Sequence, residues 1–301
     1  MVKCKKLIYD IETSLSISWL FSLGEQRVGH NQLLSGYFSR PHIMTISYMW
    51  EHENKVHTLT WGDSLKDEKD MIYEFDQIIK EADVVIGKNS DRFDNKHINS
   101  QRMFFGLDGM PDWTKYTDDL EKQMRKYFNL PSQSLDYIST QLGYGGKDKM
   151  SFGDWVAIAR HRAIQLIEPR TFLKGMKVAS TQDKQLEAMC QIMFGLSLEK
   201  VIKEGTAALT KMIKYNKKDV KDTRNVMLRL APHIKLKFNV GAHINAQTGE
   251  STLRCRHCGS DKLVSNGSRI TGGRQVQKYD CKSCYRYAGF LPMPVIKGVL
   301  K

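Results

Sequence analysis

The run LIYDIET (7–13) sets Asp10 and Glu12 two residues apart in an otherwise apolar strand pattern, so both carboxylates point to one face. An isolated D-x-E is ordinarily an exposed strand end. Crowding the pair on a buried face is unfavourable unless a cation shares the charge. A divalent ion of the magnesium type takes hard oxygen ligands and needs further carboxylates from other elements. Two candidates stand further along. GKNSDRFDNKHI (87–98) puts Asp94 just after an apolar strand, preceded by Asn89 and Phe93. YNKKDVKDT (215–223) puts Tyr215 and Asp219 four residues apart, on one side of a helix. Taken singly, Asp94 reads as a helix cap and Y-x-x-x-D as a solvated face. Taken in this order, they complete a carboxylate set. Asp91, Asp136 and Asp222 fall outside these motifs and read as caps or surface residues.

A second constellation lies near the end of the chain. CRHC (255–258) and CKSC (281–284) are two C-x-x-C knuckles separated by 22 residues, the pattern of a four-thiolate Zn²⁺ site formed by Cys255, Cys258, Cys281 and Cys284. His257 lies inside the first knuckle, and the regular spacing sets it aside as a ligand. The other two of the six cysteines, Cys4 and Cys190, read as packing residues. Six cysteines are too few to scaffold 301 residues through disulfides, so a reducing compartment and metal binding are expected. A closed four-cysteine zinc site keeps no open coordination position, so its role is to fold and hold rather than to react.

The charge points to a polyanion. Forty-six Lys and Arg against 33 Asp and Glu leave +13. Residues 231–301 alone hold twelve Lys or Arg against three Asp or Glu, leaving +9 in the last quarter. There Arg254, Arg256, Lys262, Arg269, Arg274, Lys278, Lys282 and Arg286 interleave with Tyr279, Tyr285 and Tyr287, a mixture suited to phosphate contact and base stacking. Neither a signal peptide nor an apolar run long enough to span a bilayer is read from the sequence, so no membrane partner is expected and the cytoplasm is the expected location, that of the host cell for a viral protein.

The elements that would position these residues follow from periodicity. LIYDIET, HIMTISYMW (42–50), KVHTLTWG (55–62) and DVVIGKN (83–89) read as strands. Segments 67–82, 93–106, 132–143, 181–196 and 208–234 read as helices, the last broadly apolar on one face until Pro232. Segment 14–41 reads as a loop excursion. The expected organisation is a domain over 1–234, an irregular connector over 235–253 and a small cysteine module over 254–301.

D-I-E-T on the first strand, then N-x-x-x-F-D, then Y-x-x-x-D resembles the three motifs of the DEDD exonuclease family in its tyrosine-bearing branch, which includes polymerase proofreading domains. The lead-in EADVVIGKN and the segment SLDYISTQLGYGGK (134–147) resemble that family too, whereas Lys88 stands where many members carry His. The resemblance covers about residues 5–230. It implies an α/β, RNase H-like mixed sheet flanked by helices, and metal-dependent hydrolysis of phosphodiesters from a free 3′ end, DNA being favoured over RNA. Asp10, Glu12, Asp94 and Asp219 would hold two Mg²⁺ or Mn²⁺ ions, Tyr215 would orient the attacking water, and Asn89 and Phe93 would line the substrate pocket. The cysteine module resembles the zinc ribbons attached to insertion-sequence transposases, over about 45 residues. A nuclease with a ribbon and no polymerase suits a mobile element or a virus, with a replication protein as a further partner. The alternatives are a structure-directed endonuclease, an RNA-processing nuclease, and a non-catalytic nucleic-acid-binding or adaptor protein.

Overall fold

The computed structural model describes residues 4–16, 27, 32, 41–61, 68–107, 117–145, 150–175, 181–234 and 237–292. Most of the excursion expected at 14–41 lies outside them. In chain order the elements are β1 (Lys6–Thr13), β2 (Ile43–Trp50), β3 (His57–Thr60), α1 (Lys69–Lys80), β4 (Val84–Gly87), α2 (Asp94–Phe104), β5 (Thr117–Asp119), α3 (Leu120–Tyr127) and α4 (Leu135–Gln141). They continue with α5 (Phe152–Leu166), α6 (Pro169–Phe172), α7 (Gln182–Phe194), α8 (Leu198–Leu230), α9 (Val240–Thr248), β6 (Leu263–Thr271), β7 (Arg274–Cys281) and β8 (Tyr287–Pro292).

The first five strands form one sheet in the order β3-β2-β1-β4-β5. β2 runs antiparallel to β1 and β3, while β4 and β5 run parallel to β1. This is the mixed, helix-flanked α/β sheet expected of an RNase H-like domain. Alternation along β1 divides the core. Leu7, Tyr9 and Ile11 pack with Phe75, Ile79 and Ile98 under α1 and α2. Ile8 instead packs with Val220, Val226 and Met227 of α8. Asp10 and Glu12 share Ile8's face by the same alternation, so they project toward α8. The register of β1 against β2 slips between Glu12 and Thr13, and such a bulge re-aims the side chains beside it.

α8 starts at Leu198, ten residues before the helix start expected at 208, after the Ser197 cap, whose hydroxyl accepts from Lys200 N–H. Gly205 lets α5 approach closely, since a Cβ there would stand 2.3 Å from that of His161. The stretch predicted as an irregular connector holds α9, capped by Asn239 and stopped at the left-handed Gly249. Phe238 packs on the core beneath α8, and Val240 N–H donates to Arg256 in the ribbon. α9 is therefore a bracket between the two bodies. The C-terminal strands form a separate antiparallel sheet, β6-β7-β8. No helix among the described residues is long and apolar enough to cross a membrane.

Candidate metal centre and the basic ribbon

Asp10 and Glu12 from β1 meet Asp219 from α8, with one oxygen of each carboxylate within 4.8 Å of the others. Three acidic groups this close repel strongly in a partly buried setting, and an oxygen-only donor set fits a hard divalent cation. Asn216, fully buried one turn before Asp219, ties the trio to the sheet. Its amide donates to Asp10 Oδ2 at 2.7 Å, and its oxygen accepts from Thr45 Oγ1 at 3.1 Å. Tyr215 is half-buried on the same stretch of α8.

Asp94 opens α2 beside this trio but is not one of its members. Its Oδ1 accepts from the backbone N–H of Ile11, at 3.0 Å, between Asp10 and Glu12. Burial pushes its carboxyl up to about 7, and the charge of Asp119 adds to the rise. Asp94 is thus held ready against the strand that carries the pair.

The turn that leads into α2 is organised by a residue outside the sequence motifs. Asp119, buried at the end of β5, accepts from Asn89 N–H at 2.9 Å and Asp91 N–H at 3.3 Å, and caps α3 through Glu121 N–H. Asn89 takes φ +60 there, a left-handed conformation that Asn tolerates better than most residues. Phe93 precedes α2, is 39% exposed and lies 4.5 Å from the His97 ring. Lys88 pairs with Glu121 at 2.9 Å. Asp91 is a structural acid. Burial alone would raise it, but hydrogen bonds from Lys122 and Thr117 hold it below the usual carboxylate range. Asp222 pairs with Lys218, and Asp136 sits in the first turn of α4.

Cys255, Cys258, Cys281 and Cys284 converge with all four sulfurs within 4.8 Å of one another. The Cys255–Cys284 and Cys258–Cys281 sulfurs are each 3.6 Å apart, near the ~3.8 Å edge of a tetrahedron built on Zn–S bonds of about 2.3 Å. The donor set fits zinc. Burial pushes Cys258 and Cys284 upward, Cys284 to about 11. At Cys281 the N–H groups of Cys284 and Ser283 outweigh burial and bring the thiol down to about 7.

The helix that leads into the ribbon docks at the end of β1 away from the carboxylates. His243 of α9 pairs with Asp83 at 3.0 Å, and Asp83 accepts from Lys5 N–H at the start of β1. Asp10 is five residues further along that strand, about 16 Å away. Among the predicted substrate-binding residues, Arg254 is engaged with Asn245 at 3.0 Å and with Glu250. Arg256 joins α9 through its carbonyl, Arg274 follows the Gly272–Gly273 turn, Lys278 is half-buried on β7, Lys282 is exposed and Arg286 is half-buried. All six lie on the ribbon, whereas Asp10 and Glu12 lie on β1 and Asp219 on α8.

No family model matches the chain, and no curated protein matches it. Among solved structures, the chain is similar to the family B DNA polymerase from the hyperthermophilic archaeon Pyrobaculum calidifontis, at 14% identity and a TM-score of 0.45. That match covers 76% of this chain and 25% of the polymerase, so the chain spans about a quarter of its length.

Proposed function

We propose that the protein is a metal-dependent nuclease that hydrolyses phosphodiester bonds of nucleic acid, DNA above all, from a free 3′ end. The observation that carries this reading is the meeting of Asp10, Glu12 and Asp219 on one face between β1 and α8. Divalent cations bound there supply water activation and neutralisation of the departing 3′ oxygen. Asp10, Glu12 and Asp219 would hold them, with Asp94 joining once its proton is released. Asn216 fixes the rotamer of Asp10. Tyr215, one turn before Asp219, would align the attacking water through its hydroxyl, so that the new P–O bond forms opposite the bond that breaks. The zinc ribbon would hold substrate and take no part in the chemistry.

The test uses 5′-labelled single- and double-stranded DNA and RNA with Mg²⁺ or Mn²⁺. The expected result is a descending ladder from the 3′ end, abolished in Asp10→Ala and Asp219→Ala. Full activity in either variant, or no hydrolysis of any substrate, overturns the proposal. Cutting within a 3′-blocked strand assigns an endonuclease instead.

A further inference from the structure

Between the end of α8 and the ribbon lies a cleft of about 440 Å³, within the range of sites that take small organic ligands. Tyr127, at the end of α3, and His233, just past α8, form one wall; Arg269, Tyr287 and Phe290 of the ribbon form the other, with Arg256 between. The ribbon wall is set by strand register. Arg269 stands opposite Val276, and Phe290 opposite Lys278 two residues on, so Arg269, Lys278 and Phe290 share one face of the sheet. The guanidinium of the exposed Arg269 lies 5.1 Å over the Phe290 ring. Tyr127, Tyr287 and Phe290 are each about 40% exposed, so aromatic surface is presented from both walls. Cations beside open aromatic faces are the chemistry that binds single-stranded nucleic acid, through phosphate contact and base stacking.

The cleft is separate from the carboxylates. Asp219 and Leu230 are eleven residues apart on the uninterrupted α8, about 16 Å of helix, and the cleft begins beyond Leu230. We propose that this cleft is a second nucleic-acid site, which grips a single-stranded segment of the chain being shortened at the carboxylates. This deepens the proposed function and rests on it for the identity of the strand, while the binding itself is measurable without catalysis.

Affinity for fluorescently labelled single-stranded DNA of 4 and 20 nucleotides is measured by anisotropy in EDTA-free Ca²⁺ buffer across a salt series. The variants are Arg269→Ala/Tyr287→Ala on the ribbon and, separately, Tyr127→Ala on the opposite wall, with zinc content and circular dichroism as checks on folding. The expected result is a loss of tenfold or more in 20-mer affinity for the ribbon double variant and a clear loss for Tyr127→Ala. The double variant should also show a salt slope shallower by about one, and the preference for the 20-mer over the 4-mer should collapse. Tyr127→Ala leaves the ribbon sequence untouched, so it decides the matter should the double variant misfold. Equal 20-mer affinity in Tyr127→Ala and wild type overturns the cleft and leaves the nuclease reading standing. Protein that binds the 20-mer through these residues yet degrades nothing with any divalent cation overturns the nuclease reading and leaves the cleft standing.

Discussion

One amide joins three elements: Asn216 on α8 donates to Asp10 on β1 and accepts from Thr45 on β2. Asn216→Ala removes both bonds, one of them to the fully buried Thr45 hydroxyl, so a loss of about 1–3 kcal/mol is expected, read as a lower midpoint in thermal unfolding. Asn216→Asp is expected to be worse in metal-free protein, because it adds a fourth carboxylate to the trio, and Mg²⁺ should recover part of the difference. Should the Asp variant match the Ala variant with and without Mg²⁺, the electrostatic account fails. Asp94 sets a pH dependence. Its folded pKa of about 7 lies above its unfolded value of about 4, so between the two the native state binds the extra proton. Metal-free stability therefore falls as pH rises through that window, and the penalty is complete above pH 7. Asp94→Asn should unfold at a higher temperature than wild type at pH 8, with the gap closing near pH 4; parallel pH curves would refute this. At this scale the sequence was legible where spacing carries meaning. Asp10 and Glu12 obey strand alternation, and Asp219 follows from its helix. Asn216 was not, because an Asn among lysines reads as solvated until the fold buries it. Asp119 had a signal in TDDLEK, an Asp standing as a cap before a helix.

Among the elements, α8 is longer than its sequence announces. The expected start at 208 leaves out its first turns, which run through Gly205, and the gap left by the missing Cβ there is where α5 packs. Gly205→Ala tests this. Helix propensity favours Ala by about 1 kcal/mol, while overpacking against the His161 Cβ at 2.3 Å costs roughly 1–3 kcal/mol. Net destabilisation is expected in a denaturant titration, and a stabilised variant would show that α5 yields freely. α5 itself had a legible start, since Ser151 and Asp154 form a capping box, but its weakly sided pattern concealed the rest. β5 defeats any periodicity argument, because Thr117, Asp118 and Asp119 are all polar and all buried. Their partners, among them the Lys237 N–H on Asp118, exist only after folding.

Across the whole molecule the two bodies differ in what stabilises them. The five-stranded sheet has large apolar layers on both faces. The ribbon buries little beyond Cys255, Cys281 and Ala288, so small a core that a metal on its four cysteines would carry much of its stability. A thiol-compatible zinc chelator is expected to abolish amide-exchange protection over 263–292 while β1, β2 and β4 stay protected. All five tryptophans lie between residues 19 and 155, so the fluorescence unfolding transition should change little in the same sample. Loss of both together would mean that the ribbon is integral to the larger fold. Within the stretch 235–253 the helix was not legible, since α9 is too short and too weakly amphipathic to announce itself, and its packing on Phe238, Asp83 and Arg256 is tertiary.

A helix of 33 residues without a break also behaves as a ruler. Under the proposed function, α8 holds the point of scission and the gripping cleft at a separation that cannot stretch. A strand that reaches both is shortened from its end until it no longer spans them, and then it slips away. Digestion should accordingly stall on a remnant of characteristic size, dictated by the geometry of one helix and indifferent to base sequence.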